Sequence, residues 1–215
     1  MKNRKTNFIM LMLSSVLCLT AFNNAADQSA VKIGNQEWMT NNLNVSAFRN
    51  GDAIPQAKTA EEWIKAGENK QPAWCYYNND SENGAKYGKL YNWYAVNDAR
   101  GLAPSGWHIP SDAEWTTLSD NLGGVDEAGH KMKSQAGWTY EGNGSNASGF
   151  SGLPGGSRYN YGTFFNVGSY GGIWWSSTEK NTDYAWYRQL FYYTGVVYRD
   201  YTNKPNGFSV RCLRD

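Results

Sequence analysis

The chain has 215 residues, with 20 Lys+Arg against 19 Asp+Glu and a formal net charge of +1, a balance that argues against a surface built to track nucleic-acid phosphates. Charged residues reach only 18% while aromatics reach 15%, beside 23 Gly. Disordered chains lack such rings and a membrane span needs a longer apolar run than any here, so the composition describes one loop-rich globular domain whose rings carry the buried area.

Lys2, Arg4 and Lys5 precede an apolar stretch from Phe8 to Phe22, and the small residues Ala25 and Ala26 follow it. A positive start, a short apolar centre and a small-residue exit describe a secretory signal peptide over residues 1–26. The remaining residues, 27–215, form one domain that is extracellular, at the cell surface or periplasmic. Cys18 raises the alternative of a lipoprotein. Leu17 stands where that signal wants a small residue, so soluble export is favoured and membrane attachment is confined to such a lipid anchor. Without the leader, three cysteines become two, Cys75 and Cys212. An even pair in an exported protein is a disulfide candidate, with two separate buried thiols as the equal alternative.

Val31 to Met39 reads as a small hairpin turning at Gly34-Asn35. Thr59 to Ala66 reads as a short helix with Thr59 and Glu62 at capping-box spacing and Gly67 as its stop. A Tyr- and Asn-rich stretch runs from Tyr76 to Gly88, and Leu90 to Val96 is too short to assign by period. Ser111 to Leu122 is the clearest element: Ser111 and Glu114 form a capping box, Trp115, Leu118 and Leu122 share one face, and Gly123 ends it. A second short helix is expected from Asp126 to Ser134, weakened by Gly129. Beyond Gln135 no helical period remains, and Gly and Ser alternate with rings as far as Gly172.

Catalytic signals are poor. His108 and His130 have no cysteine or histidine partners at zinc-site spacing. His108 reads as a packing and hydrogen-bonding residue, and His130 as a surface residue paired with Asp126 and Glu127. No nucleophile elbow, phosphate-binding loop or dinucleotide fingerprint is present. Asp80 and Glu82 lie in an Asn-rich loop that offers oxygen ligands to calcium, but no EF-hand pattern surrounds them and a solvated turn is the simpler reading. No catalytic residue, metal ligand or cofactor is assigned.

Three blocks carry a resemblance: CYYNNDSENGAKYGKLYNWYAV from Cys75, GWHIPSDAEWTTL from Gly106 and NGFSVRCLRD from Asn206. Together they resemble the Fibrobacter succinogenes major paralogous domain of exported proteins, over nearly the whole mature chain. The resemblance implies an α+β fold of the C-type-lectin-like kind, with short helices and small antiparallel sheets, akin to formylglycine-generating enzymes. The active-site cysteine pair of those enzymes does not fall on Cys75 and Cys212. The calcium-lectin loop is also missing, since Gln71-Pro72-Ala73 lacks the oxygen-bearing third residue. What the resemblance leaves is a binding scaffold.

The segment from Ala185 to Thr202 carries the functional reading. With Thr194-Gly195 as a two-residue turn, Tyr193 faces Val196, Phe191 faces Tyr198, Gln189 faces Asp200 and Tyr187 faces Thr202. Side chains alternate across a strand, so these eight residues share one side. Trp186, Arg188, Leu190, Tyr192, Val197, Arg199 and Tyr201 share the other. Trp186, Leu190 and Val197 make the second face the one expected to meet the core. Tyr187, Gln189, Phe191, Tyr193, Val196, Tyr198, Asp200 and Thr202 are then the ligand-binding candidates, because exposed Tyr offers large contact area at low entropic cost. GGIWWSSTE from Gly171 and NGFSVR from Asn206 resemble the fixed borders of segments varied by diversity-generating retroelements. Their adenine mutagenesis of AAC codons cannot yield Gln, Lys, Glu, Met or Trp, and of the eight residues only Gln189 breaks that restriction.

The expected function is therefore an exported, non-enzymatic ligand-binding or adhesion domain whose partner is a cell-surface protein or glycan. A carbohydrate-binding module is the first alternative and a formylglycine-generating-type enzyme the second. Export is directly measurable. N-terminal sequencing of the native protein should find a start near Ala25 or Ala26, and a chain still beginning at Met1 overturns the leader.

Overall fold

The computed structural model describes residues 29–165 and 171–215. The signal peptide read at residues 1–26, with Cys18, lies outside them. The first hairpin forms as its turn residues dictate: β1 (Ala30–Ile33) and β2 (Gln36–Met39) pair antiparallel around Gly34, whose φ is +61°. Helix α1 (Ala60–Glu68) starts at Thr59 with both halves of the capping box made. Gly67 does not stop it. The helix runs through Gly67 because a close neighbour needs the space: an added Cβ would lie 2.8 Å from the Cβ of Pro205.

The Tyr- and Asn-rich stretch follows β3 (Trp74–Cys75) as a single 3₁₀ turn and then α2 (Ser81–Tyr87). Asp80 is the N-cap of α2, accepting from the Glu82 N–H at 2.9 Å. Among the described residues, no group of three or more His, Cys, Asp or Glu is placed to hold a metal ion. The segment that no period could assign divides in two: β4 (Leu90–Asn92) leads directly into α3 (Trp93–Val96). Its switch residue is Asn92, whose side-chain oxygen accepts from Ala95 N–H at 3.1 Å and from Ala73 N–H at 3.0 Å.

After β5 (Trp107–His108), α4 (Asp112–Asn121) carries the expected Ser111–Glu114 capping box and turns Trp115, Leu118 and Leu122 inward. Helix α5 (Val125–Met132) leaves His130 exposed, and neither Asp126 nor Glu127 pairs with it. Irregular chain then runs to β6 (Ser157–Arg158) and β7 (Phe164–Phe165). The last third supplies β8 (Gly172–Glu179), β9 (Tyr184–Leu190), β10 (Val197–Asn203), β11 (Gly207–Phe208) and β12 (Leu213–Arg214). They complete three small antiparallel sheets, ordered β1-β2-β12-β5, β3-β4-β11-β6-β7 and β10-β9-β8. The fold is α+β, with short helices and short strands. No described helix is long and apolar enough to cross a membrane.

Three aromatic clusters fill the interior. One gathers Trp107, Trp175 and Phe208, a second Trp38, Trp115, Phe150 and Trp174, and a third Trp63 and Tyr77. Cys75 and Cys212 do not form the expected disulfide. Cys75 sits in β3 paired with Leu90 and packs in the third cluster; Cys212 accepts from Met39 N–H beside another sheet and packs in the first. Burial pushes each thiol up to about 12, which keeps both protonated and unreactive at neutral pH.

His108 ties the last strand to α4. Its Nδ1 lies 2.9 Å from Asp215 Oδ1 and its Nε2 3.0 Å from Glu114 Oε1, while Glu114 also completes the α4 cap. Partial burial disfavours the charged ring, yet the hydrogen bonds to Asp215 and Glu114 outweigh it and raise the pKa above 6.5. A raised folded-state pKa contributes stability that is complete below the unfolded value and lost as pH climbs through the folded one. The unfolding midpoint should therefore fall as pH rises above about 6.5, and His108→Gln should flatten that part of the profile. A parent and variant with parallel profiles would show the pairs contribute nothing.

Candidate functional site

The sheet β10-β9-β8 is covered unevenly, and that gradient makes the surface. On β8, Ile173 and Trp175 enter the first cluster while Trp174 enters the second, so both faces of the strand are buried. On β9 the cover is partial: Ala185 and Gln189 are buried and Tyr187 is half-buried against Phe208, ring centroids 5.2 Å apart. Burial pushes the Tyr187 hydroxyl up to about 12. On β10, the edge, Tyr198 and Asp200 are exposed. The expected ligand face therefore turns inward at β9 and outward at β10, because the first aromatic cluster reaches under β8 and β9 only.

The opposite face meets the helices. Leu190 and Val197 are buried in the second cluster as expected. Arg188 is buried and donates from Nη1 to Asp112 Oδ1 at 2.7 Å; Arg199 reaches the same carboxylate at 2.8 Å. Burial opposes ionisation of Asp112, but bonds from Arg199 and Arg188 outweigh it and lower the pKa. Trp186 is not the core residue expected. It is half-buried at the surface, under the Arg199 guanidinium at 3.7 Å and edge-on to Tyr201 at 5.3 Å. Among the described residues it joins none of the three aromatic clusters.

The two-residue turn is also corrected. Strand pairing ends at Leu190↔Val197, and Tyr198 faces Gln189, Asp200 faces Tyr187 and Thr202 faces Ala185. The shift is two residues, which preserves the parity of each face. Neither Thr194 nor Gly195 has the positive φ that a tight hairpin turn requires. A six-residue loop, 191–196, forms instead, and a buried ammonium gathers it. Lys133 Nζ donates to the carbonyls of Phe191, Tyr192 and Thr194 at 3.1, 3.3 and 3.0 Å. Gly129 N–H of α5 donates to the Gly195 carbonyl at 2.8 Å.

This anchored loop displays a connected group of rings. Phe191 lies 5.3 Å from Tyr193 and 4.9 Å from Tyr198, and Tyr193 lies 5.2 Å from Tyr192. Tyr193 is 61% exposed and Tyr198 38% exposed; Phe191 and Val196 are half-buried, as is Thr202 further along β10. Sequence reasoning missed Tyr140, which is 78% exposed and reaches Tyr192 at 5.4 Å. It comes from a loop with no periodicity, at a positive φ of 50°. Its approach depends on Gly142, where a Cβ would meet Tyr192 Cβ at 2.5 Å. No local signal links positions 140 and 192.

Fold and surface together define an α+β protein that, in its described residues, presents an aromatic group on a sheet edge, pinned from behind by a lysine. The chain belongs to the Fibrobacter succinogenes major domain family, whose model matches residues 31–214. No curated protein matches it.

Gly129 tests how the loop is held. Helix propensity alone has Gly→Ala in a helix stabilise by about 1 kcal/mol. Here the added Cβ would lie 2.4 Å from the Gly195 carbonyl oxygen. The clash should win, so Gly129→Ala should lower stability by roughly 1–3 kcal/mol in urea unfolding. A stabilised variant would show that the loop does not dock on α5.

Proposed function

We propose that the protein is an exported, non-enzymatic binding or adhesion domain that meets its partner through the rings of the C-terminal hairpin. The observation that carries this reading is the connected group of half-buried Phe191 and exposed Tyr193 and Tyr198, on and beside a loop already ordered by Lys133. Pre-ordered rings bind with little further entropic loss. A C-type-lectin-like fold is part of the same proposal.

A protein surface fits these rings better than a sugar. Phe191 and Tyr193 are nearly parallel at 24°, but Tyr198 meets Phe191 at 84° and Tyr192 meets Tyr193 at 85°, a ridged group rather than the open flat platform on which a pyranose stacks. The retroelement reading gains support from Gln189. The position that adenine mutagenesis cannot produce is 9% exposed and packs beside Gly171, as a framework residue would. A reverse transcriptase and template repeat beside the gene would be the direct sign of it.

Tyr193→Ala and Tyr198→Ala should each leave stability within about 0.5 kcal/mol and weaken binding to target cells by roughly 1–2 kcal/mol. Cell binding and thermal unfolding, measured together, check this. Parent-like binding by both variants would remove the hairpin from the interface. Loss of binding after glycosidase treatment of the cells would assign the partner to glycans instead.

A further inference from the structure

The turn that carries Tyr140 has the wrong residues for its backbone. Gly142 N–H closes it onto the Thr139 carbonyl at 2.9 Å, and its two central residues, Tyr140 and Glu141, have φ of 50° and 60°. Two successive positive φ values are the pattern that Asn-Gly normally supplies, because a Cβ crowds the neighbouring carbonyl there. A bulky ring followed by a glutamate is strained at those positions, and such strain persists only where the surroundings over-determine it. Here they do. Asn143 Oδ1 accepts from Trp138 N–H at 3.1 Å across the base of the turn, and Gly144 N–H donates to the Ser134 carbonyl at 2.9 Å.

Burial does not offset the strain, since Tyr140 at 78% is the most exposed large ring among the described residues. What the turn achieves is placement. Through Tyr192 the ring joins a continuous series, Tyr140, Tyr192, Tyr193, Phe191 and Tyr198, with successive centroids 4.9–5.4 Å apart. Carboxylates border the series: Glu141 at one end, Asp126 of α5 beside Gly195, and Asp200 past Tyr198 on β10. All three are exposed, and none forms an ion pair among the described residues. The cations close by are turned elsewhere. Lys133 is 3% exposed beneath the loop with its ammonium on three carbonyls, and Arg199 is held by Asp112 on the opposite face.

We infer that the Tyr140–Glu141 turn is a second contact element of the binding surface, and that the joined surface takes a basic protein segment through its arginine side chains. This rests on the hairpin reading. A guanidinium suits the site because it lies flat on ring faces and pairs with carboxylates at their edge. A turn already fixed in its bound shape loses little freedom on binding.

The test is titration of the full chain with hexa-arginine peptide, with hexaglutamate as the control of opposite sign, followed by amide NMR. Hexa-arginine should bind saturably and shift the amides of residues 139–142 together with those of 191–193, while hexaglutamate shifts neither. Tyr140→Asn and Glu141→Gly each place a residue that tolerates positive φ. Both should melt at or above the parent temperature and bind hexa-arginine about fivefold or more weakly, about the effect of losing one cation–π or ionic contact. Gain of stability with loss of binding marks residues kept for contact rather than for folding. Shifts confined to 191–193 would remove the turn and leave the hairpin reading standing, whereas parent-like cell binding by Tyr193→Ala and Tyr198→Ala would remove both. The inference also fails if hexaglutamate binds as tightly, if either turn variant binds like the parent, or if Tyr140→Asn melts well below it, which would make the ring a packing residue.

Discussion

The Arg211 guanidinium is buried without a carboxylate, and much of the structure is arranged around satisfying it. It donates from Nη1 to the carbonyls of Met39 and Phe150, and from Nε and Nη2 to Asn42 Oδ1. The ring of Phe150 lies 4.2 Å from it. Asn42 Oδ1 also accepts from Trp174 Nε1 at 2.8 Å, and Asn42 Nδ2 donates to Tyr87 O and Ser209 Oγ. One polar node therefore joins the end of β2, the long loop before β6, strand β8 and the segment before β12. Burying a charge costs several kcal/mol unless every donor is met, so these segments are not free to separate one at a time.

The same device recurs. Arg158, 1% exposed, donates to the carbonyls of Gly162, Ala57 and Thr59 between the rings of Trp63 and Phe164. Lys133 gathers the hairpin loop, and Lys89 holds the Asn44 loop against Trp74. A chain with little regular structure leaves many main-chain carbonyls without partners. Buried cations flanked by rings supply donors for them. This explains how a loop-rich domain is ordered without a disulfide between Cys75 and Cys212, and why its display loop needs no tight turn.

Local features were legible wherever the chemistry is local. Both capping boxes, at Thr59–Glu62 and Ser111–Glu114, form as their spacing requires, and the first hairpin turns at Gly34. Glycine was harder to read. Gly67 and Gly129 look like stops or weak points in sequence, but each lies inside a helix where another segment approaches too closely for a Cβ. Asn92 gives no sign beforehand that strand becomes helix there, because two of its three side-chain partners, Gln71 and Ala73, come from a separate segment.

By itself the sequence determined the α+β class, the family, and the two sides into which the hairpin residues divide, since alternation along a strand survives a register shift of two. It did not determine which side is covered at each point. That depends on what lies across the sheet: the first cluster under β8 and β9, α4 and α5 over Leu190 and Val197, and none of the three clusters over Trp186. Nor did it place Tyr140 against Tyr192, or Lys133 beneath the loop 191–196. Periodicity and capping are properties of a few consecutive residues, whereas burial and the partners of a buried cation are set by segments distant in the chain. Only the tertiary structure could decide those.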